Sequence, residues 1–364
     1  MTKLHDLAGL GQAVWLDYIC RSLLTSGELQ ALIDKGVRGV TSNPTIFDRA
    51  ISGSSDYDQD LAQLSGEVRS LEQVYEAVAL EDIGGAADLL RPLHDVTNGG
   101  DGYVSLEVNP SLAHDADGTI ADARRLFSAL GRPNILIKVP ATPAGILAID
   151  ALIGEGINVN ATLIFSVANY EAVARAYISG LEKLESAGGD LTRIGSVASL
   201  FVSRIDTAVD RALDRVGETN LQGKIAVASA RIAYSRFQDI FAGQRWERLA
   251  VQGARVQRPL WASTSTKNPA YPDTLYVDTL IGENTVNTMP PSTMEAFLDH
   301  GRVAMSVTRD LDQACAQIAR LPELGIDLEA ITQKLQDDGV AAFAASFESL
   351  LTSIGEKVRA LRES

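Results

Sequence analysis

The chain has 364 residues, 46% hydrophobic and 22% charged, the proportions of an ordinary globular protein with ample length for a large core. Its formal net charge of −15 speaks against nucleic acid or an anionic membrane as a partner, so a phosphate could be met only in a local cationic pocket. Two cysteines, Cys20 and Cys315, make no disulfide framework, the first residues lack a signal-peptide pattern, and no apolar stretch reaches the length of a membrane span; the expected compartment is the cytoplasm.

Val14-Trp-Leu-Asp17-Tyr18 reads as a first strand and residues 21–35 as a helix closed by Gly36. Val37 to Asn43 is a second strand, cut off by Pro44. A helical excursion follows over 48–98, with a strong pattern from Val68 through Leu93. After the turn Asn98-Gly-Gly-Asp-Gly102, Tyr103 to Asn109 alternates strictly and stops at Pro110. A helix at about 119–130 leads into the strand Asn134-Ile-Leu-Ile-Lys138-Val-Pro-Ala-Thr142, and a short helix spans Ala144 to Ile153. Gly156 to Phe165 is a fifth strand, followed by a helix over 168–187. Ser196 to Ser203 is a sixth strand, followed by helices over 205–216 and 224–250. Pro259 to Thr264 is a seventh strand, Tyr276 to Leu280 is helical, and Asn284 to Met289 is the eighth strand. The tail, 308–364, is helical. It aligns Val340, Phe343, Phe347, Leu350, Ile354, Val358 and Leu361 on one stripe that would pack on the main body.

Eight strands separated by helices define an α/β protein, most economically one (β/α)8 TIM barrel spanning 1–364 with added helices. The alternative, an open doubly wound sheet, would have apolar residues on both strand faces. Here one face is polar in strand after strand: Trp15 and Asp17; Thr41 and Asn43; Ser105, Glu107 and Asn109; Lys138; Asn158, Asn160 and Thr162; Ser199 with Phe201. Polar groups from so many strands satisfy one another only by converging, as they would inside a barrel near its C-terminal mouth.

Lys138 is the centre of that face. An ammonium inside an apolar strand is costly to bury, which favours the neutral, nucleophilic amine that forms Schiff bases with carbonyl substrates. A strand lysine taken alone more often snorkels or pairs with a carboxylate; the convergent acids and carboxamides reverse that balance. Asp17 and Glu107 are candidates to move protons, with a structural ion pair to Lys138 as the competing reading. Arg204 and Lys267, just past strands six and seven, are candidate phosphate partners. The four histidines are scattered without ligand spacing, so neither a metal nor another cofactor is expected. Asp115-Ala-Asp-Gly-Thr119 imitates a phosphatase box, but the poor strand before it favours a turn in which Thr119 caps the next helix.

Three motifs in order give the chain a family resemblance. Thr41-Ser-Asn-Pro-Thr-Ile-Phe47, Ile135-Leu-Ile-Lys138-Val-Pro-Ala-Thr142 and Gly156-Ile-Asn-Val-Asn160-Ala-Thr162-Leu-Ile-Phe165-Ser166 resemble the signatures of transaldolases, from about residue 12 onward. The resemblance implies a class I aldolase-type barrel in the non-oxidative pentose phosphate pathway. Lys138 would form a Schiff base with C2 of a ketose phosphate, and Asp17 would take the C4 hydroxyl proton as C3–C4 breaks. Asn43 and Asn160 would hold the dihydroxyacetone unit, Glu107 and Thr162 a proton-shuttling water, and Ser199 and Arg204 the phosphate. Lys267 stands where many members carry arginine, supplying charge without the bidentate fork. The implied substrates are sedoheptulose 7-phosphate or fructose 6-phosphate as donor, and glyceraldehyde 3-phosphate or erythrose 4-phosphate as acceptor. Two alternatives compete. One is a fructose 6-phosphate aldolase that releases dihydroxyacetone; members of that sister group carry Gln in place of Glu107 and Tyr in place of Phe201. The other is a non-catalytic sugar-phosphate-binding barrel, which would be expected to lose Lys138 or its acids.

Overall fold

The computed structural model describes residues 1–66 and 70–363. Eight parallel strands close into a barrel in sequence order: β1 (Gln12–Leu16), β2 (Val37–Thr41), β3 (Tyr103–Glu107), β4 (Ile135–Pro140), β5 (Val159–Ile164), β6 (Ser196–Phe201), β7 (Arg258–Ala262) and β8 (Thr285–Met289). β8 pairs with β1, so no edge is left open. The strands are short runs of Val, Ile, Leu and Ala, buried along nearly their whole length between the barrel interior and the helices outside. Among the described residues no helix is long and apolar enough to cross a membrane.

Several boundaries differ from the sequence reading, each for a local reason. β1 ends at Leu16, so Asp17 lies just past the strand, though its amide still bonds the Met289 carbonyl at 2.8 Å. The expected helix 21–35 is two helices, Arg21–Thr25 and Glu28–Asp34, broken where Gly27 turns left-handed at φ +84°. The expected helix 224–250 is likewise two, Ile225–Ile240 and Gln244–Val251, with Gly243 capping the second. The helix expected from 119 begins at Ala116; Asp115 is its N-cap, accepting the Gly118 amide at 3.0 Å, whereas Thr119 donates to the Leu112 carbonyl at 2.9 Å. Of the pattern from Val68 to Leu93, Leu71–Val96 is one helix and Val68 lies outside the described residues.

The N-terminal end of the barrel is filled by side chains. Gly39 of β2 lies against the Trp15 ring so closely that a Cβ there would be 2.7 Å from it. The Trp15 indole donates to Asp101, which also receives Arg38 at 2.7 Å and Arg258 at 3.2 Å. Asn158, expected on the functional face, instead ties strand ends, donating to the Pro133 and Ile135 carbonyls and accepting the Gly195 amide. With that end closed, the open end is the C-terminal one.

The last helix, Leu328–Glu363, has 36 residues, about 54 Å at 1.5 Å each. It buries Phe343, Leu350, Ile354 and Val358, with Val340, Phe347 and Leu361 packed beside them, on the stripe read from the sequence. It lies along the helices Pro44–Ser52 and Asp58–Gly66 and also reaches β5. Thr45 meets Ser346 at 3.0 Å, and the Lys357 ammonium donates to the Ile51 carbonyl at 2.8 Å. The helix therefore crosses from the outer wall to the mouth of the barrel.

Candidate active site

β3, β4 and β5 are in a register that sets Glu107, Lys138 and Asn160 side by side. Lys138 is 6% exposed. Its Nζ donates to the Ser42 carbonyl at 2.9 Å and lies 2.6 Å from Glu107 Oε1, an ion-pair contact without the alignment of a hydrogen bond. Among the described residues Glu107 Oε2 is buried without a hydrogen-bond partner, and so is the Thr162 hydroxyl across β4. Burial pushes the Glu107 carboxyl above its ordinary range, against the opposing pull of Lys138, and nearby Asp17 adds to the rise. A carboxyl so placed, beside a lysine amine, is suited to taking and returning protons.

A chain of side chains frames this pair. Thr41 donates to Asp17 at 2.7 Å and meets the Thr288 hydroxyl at 2.8 Å, which fixes the carboxylate just past β1. Asn43 caps the helix Pro44–Ser52, its Oδ1 accepting the Ile46 amide at 3.0 Å, which leaves its NH2 free to turn into the cavity. Asn160 donates to Ser105 at 3.1 Å and accepts from Ser199 at 2.7 Å. That bond ties Ser199, which lines the same cavity as Arg204 and Lys267, to Asn160.

The cations lie on the other side. Arg204, in the first turn of the helix Ser203–Val216, stacks 5.3 Å over the Phe201 ring. Burial pulls its basicity down. Lys267 donates to Ser265 at 2.7 Å; burial lowers its pKa, and repulsion from Arg204 lowers it further. Among the described residues neither forms an ion pair. Arg204 is half-buried and Lys267 exposed, and these two neighbouring cations face the same cavity.

Asp17, Thr41, Asn43, Lys138, Thr162, Ser199, Phe201, Arg204 and Lys267 line one cavity of about 320 Å³ at the C-terminal mouth. Glu107 reaches it through Lys138, and Asn160 through Ser199. A wider cleft of about 550 Å³, between Phe165–Asn169 and the last helix, gathers no such ionisable set. Among the described residues no group of His, Cys, Asp and Glu is placed to hold a metal ion. The sequence reading missed Thr288, Arg49, Ser265 and Phe343, which also line the cavity. Ser265 lies two residues before Lys267, just past the seventh strand. Phe343 stood on the apolar stripe, but periodicity says only that a residue is covered, not what it covers.

A closed parallel barrel with a buried lysine, two acids and two cations lining a cavity at its C-terminal mouth is the framework of a (β/α)8 enzyme. The model of the transaldolase/fructose-6-phosphate aldolase family matches residues 14–354. The transaldolase of Thiobacillus denitrificans is 49% identical over 359 residues, covering 98% of this chain and all of the relative. That of Neisseria gonorrhoeae is 46% identical, covering 97% and 100%, and transaldolase 1 of Streptomyces avermitilis is 46% identical, covering 98% and 96%. The chain belongs to the transaldolase/fructose-6-phosphate aldolase family, and it is an enzyme, a transferase with transaldolase activity.

Proposed function

We propose that Lys138 attacks the C2 carbonyl of a ketose phosphate, sedoheptulose 7-phosphate or fructose 6-phosphate. Water leaves and an iminium forms, which requires a proton taken from the amine and one given to the departing hydroxyl. Glu107, through a water held by Thr162, serves both transfers. Asp17 then takes the C4 hydroxyl proton, C3–C4 breaks, and an aldose phosphate departs, leaving a three-carbon enamine on Lys138. Asn43 and Asn160 hold its hydroxyls, while Ser199, Arg204 and Lys267 hold the phosphate of the departing aldose, with Phe201 backing Arg204. Glyceraldehyde 3-phosphate or erythrose 4-phosphate accepts the unit by the reverse steps, as in the non-oxidative pentose phosphate pathway.

The observation that carries this reading is the buried Lys138 amine 2.6 Å from the Glu107 carboxylate, in a cavity that Arg204 and Lys267 also line. The partners are then small sugar phosphates. A net charge of −15 opposes nucleic acid and membrane surfaces, and the free thiols of Cys20 and Cys315 are in keeping with work in the cytoplasm. The test is borohydride reduction with fructose 6-phosphate followed by peptide mapping. A dihydroxyacetone-sized adduct on Lys138 is expected. An adduct on another lysine, or none, removes the mechanism and the site assignments together.

A further inference from the structure

The cavity wall mixes polar groups with apolar ones, Phe201, Ile46, Ala262 and Pro290 among them, and one further ring comes from far along the chain. Phe343, 8% exposed, projects from the last helix into the cavity lining, its ring centroid 5.9 Å from the Lys138 Nζ. The helix is anchored on both sides of it. Two turns earlier, Gln336 donates to the Ala141 and Leu163 carbonyls, each at 3.0 Å. One turn later, Phe347 packs edge-on to Tyr75 at 5.5 Å, and Tyr75 to Phe47 at 5.7 Å. A ring held this firmly over a reactive amine, among hydroxyls, carboxamides and charges, has a chemical consequence.

The consequence concerns the enamine. Its C3 carbon, two bonds from Nζ in the space the ring bounds, can react with either of two electrophiles. If the aldehyde carbon of an acceptor adds, a C–C bond forms, the aldehyde oxygen takes a proton, and the resulting iminium is hydrolysed at C2, breaking the C2–N bond and releasing the lengthened ketose phosphate. If a proton adds instead, the enamine becomes an iminium. Water then attacks C2, the C2–N bond breaks, and dihydroxyacetone leaves as Lys138 regains its amine. Both courses end with water attacking C2; only the second needs a proton donor at C3, and an apolar ring beside C3 donates no proton and leaves no room there for a water that would.

We propose that Phe343 decides transfer over release, by keeping proton-donating water away from C3 of the enamine on Lys138 until an aldehyde arrives. This rests on the Schiff-base reading above. It makes the last helix a specificity element of the site, as well as a packing element of the barrel.

The test compares the full-length protein with Phe343→Ala, Phe343→Gln and Phe343→Leu. Dihydroxyacetone released is measured against sugar transferred from fructose 6-phosphate to erythrose 4-phosphate, with borohydride trapping run in parallel. The release-to-transfer ratio is expected to rise about tenfold in F343A and F343Q, and to stay within about twofold of the parent in F343L, which keeps the apolar bulk. Released dihydroxyacetone should carry one deuterium when the reaction runs in D2O. F343Q keeps most of the side-chain volume, so it decides the matter if F343A does not fold. An unchanged ratio in F343Q, with the Lys138 adduct formed as in the parent, overturns the inference and leaves the Schiff-base reading standing. Absence of the adduct in the parent protein overturns both.

Discussion

Replacing Arg204 by Gln separates a residue kept for function from one kept for stability. The guanidinium is half-buried, stacks on Phe201, lies near Lys267 and among the described residues has no carboxylate partner. In the empty site it therefore opposes folding, because a half-buried charge without a counter-ion costs free energy. Arg204→Gln keeps much of the stem and removes that cost, so the unfolding midpoint should stay level or rise. Binding should move the other way. A charge-assisted contact to a phosphate contributes about 1.5–3 kcal/mol, which corresponds to about a 10- to 150-fold loss of kcat/KM. The loss should fall on fructose 6-phosphate and spare unphosphorylated fructose, since only the phosphorylated sugar reaches these cations. The assay is kcat/KM for both sugars at fixed erythrose 4-phosphate, alongside thermal unfolding. An equal drop on both substrates, or a fall in the unfolding midpoint by several degrees, would refute the reasoning. Arg204 would then be a structural cation whose partner lies within the fold.

Two further perturbations probe what supports the site. Leu163 takes a left-handed backbone (φ +58°) in a strand irregularity beside Thr162, a conformation that costs about 1–3 kcal/mol for a residue with a side chain. Gln336 bonds its carbonyl, so Gln336→Ala should lower stability by about 1–3 kcal/mol and slow Schiff-base formation, read as the rate of borohydride-trapped adduct; full stability with full activity would mean the bulge holds itself. Asp206 is buried, accepting the Ala226 amide and the Tyr276 hydroxyl at 2.8 Å each, and burial raises its pKa from 3.8 to about 6. A raised folded-state value means that the stability gained by protonation is full below about 3.8 and lost as pH rises through about 6. Stability relative to Asp206→Asn should therefore fall by about 3 kcal/mol between those limits, measured by urea unfolding at pH 4 and pH 7; a constant difference would show that the carboxylate is not paying its desolvation cost in the fold.

Much of the barrel follows from the sequence because its signals are local. Strand alternation, glycines at helix ends such as Gly36 and Gly131, and prolines such as Pro44 and Pro110 that end strands all act within a few residues. Alternation also puts Asp17, Thr41, Glu107, Lys138, Asn160, Thr162 and Ser199 on one side of their strands, which was enough to expect convergence. Sequence alone placed Asn158 on that same side. Only the closed barrel, by bringing the Pro133 and Ile135 carbonyls within reach, commits it to holding strand ends. Helix breaks at Gly27 and Gly243 escaped a periodicity that continues across them. The tertiary structure also decided the partner of each polar group: Ser199 to Asn160, Thr41 to Asp17, Glu107 to Lys138. It decided, too, what the last helix covers. Phe343 stands some two hundred residues from Lys138 in the chain, and an apolar stripe carries no address for its target. Contact between segments so far apart is set by how the whole chain packs, and that is written in no single stretch of it.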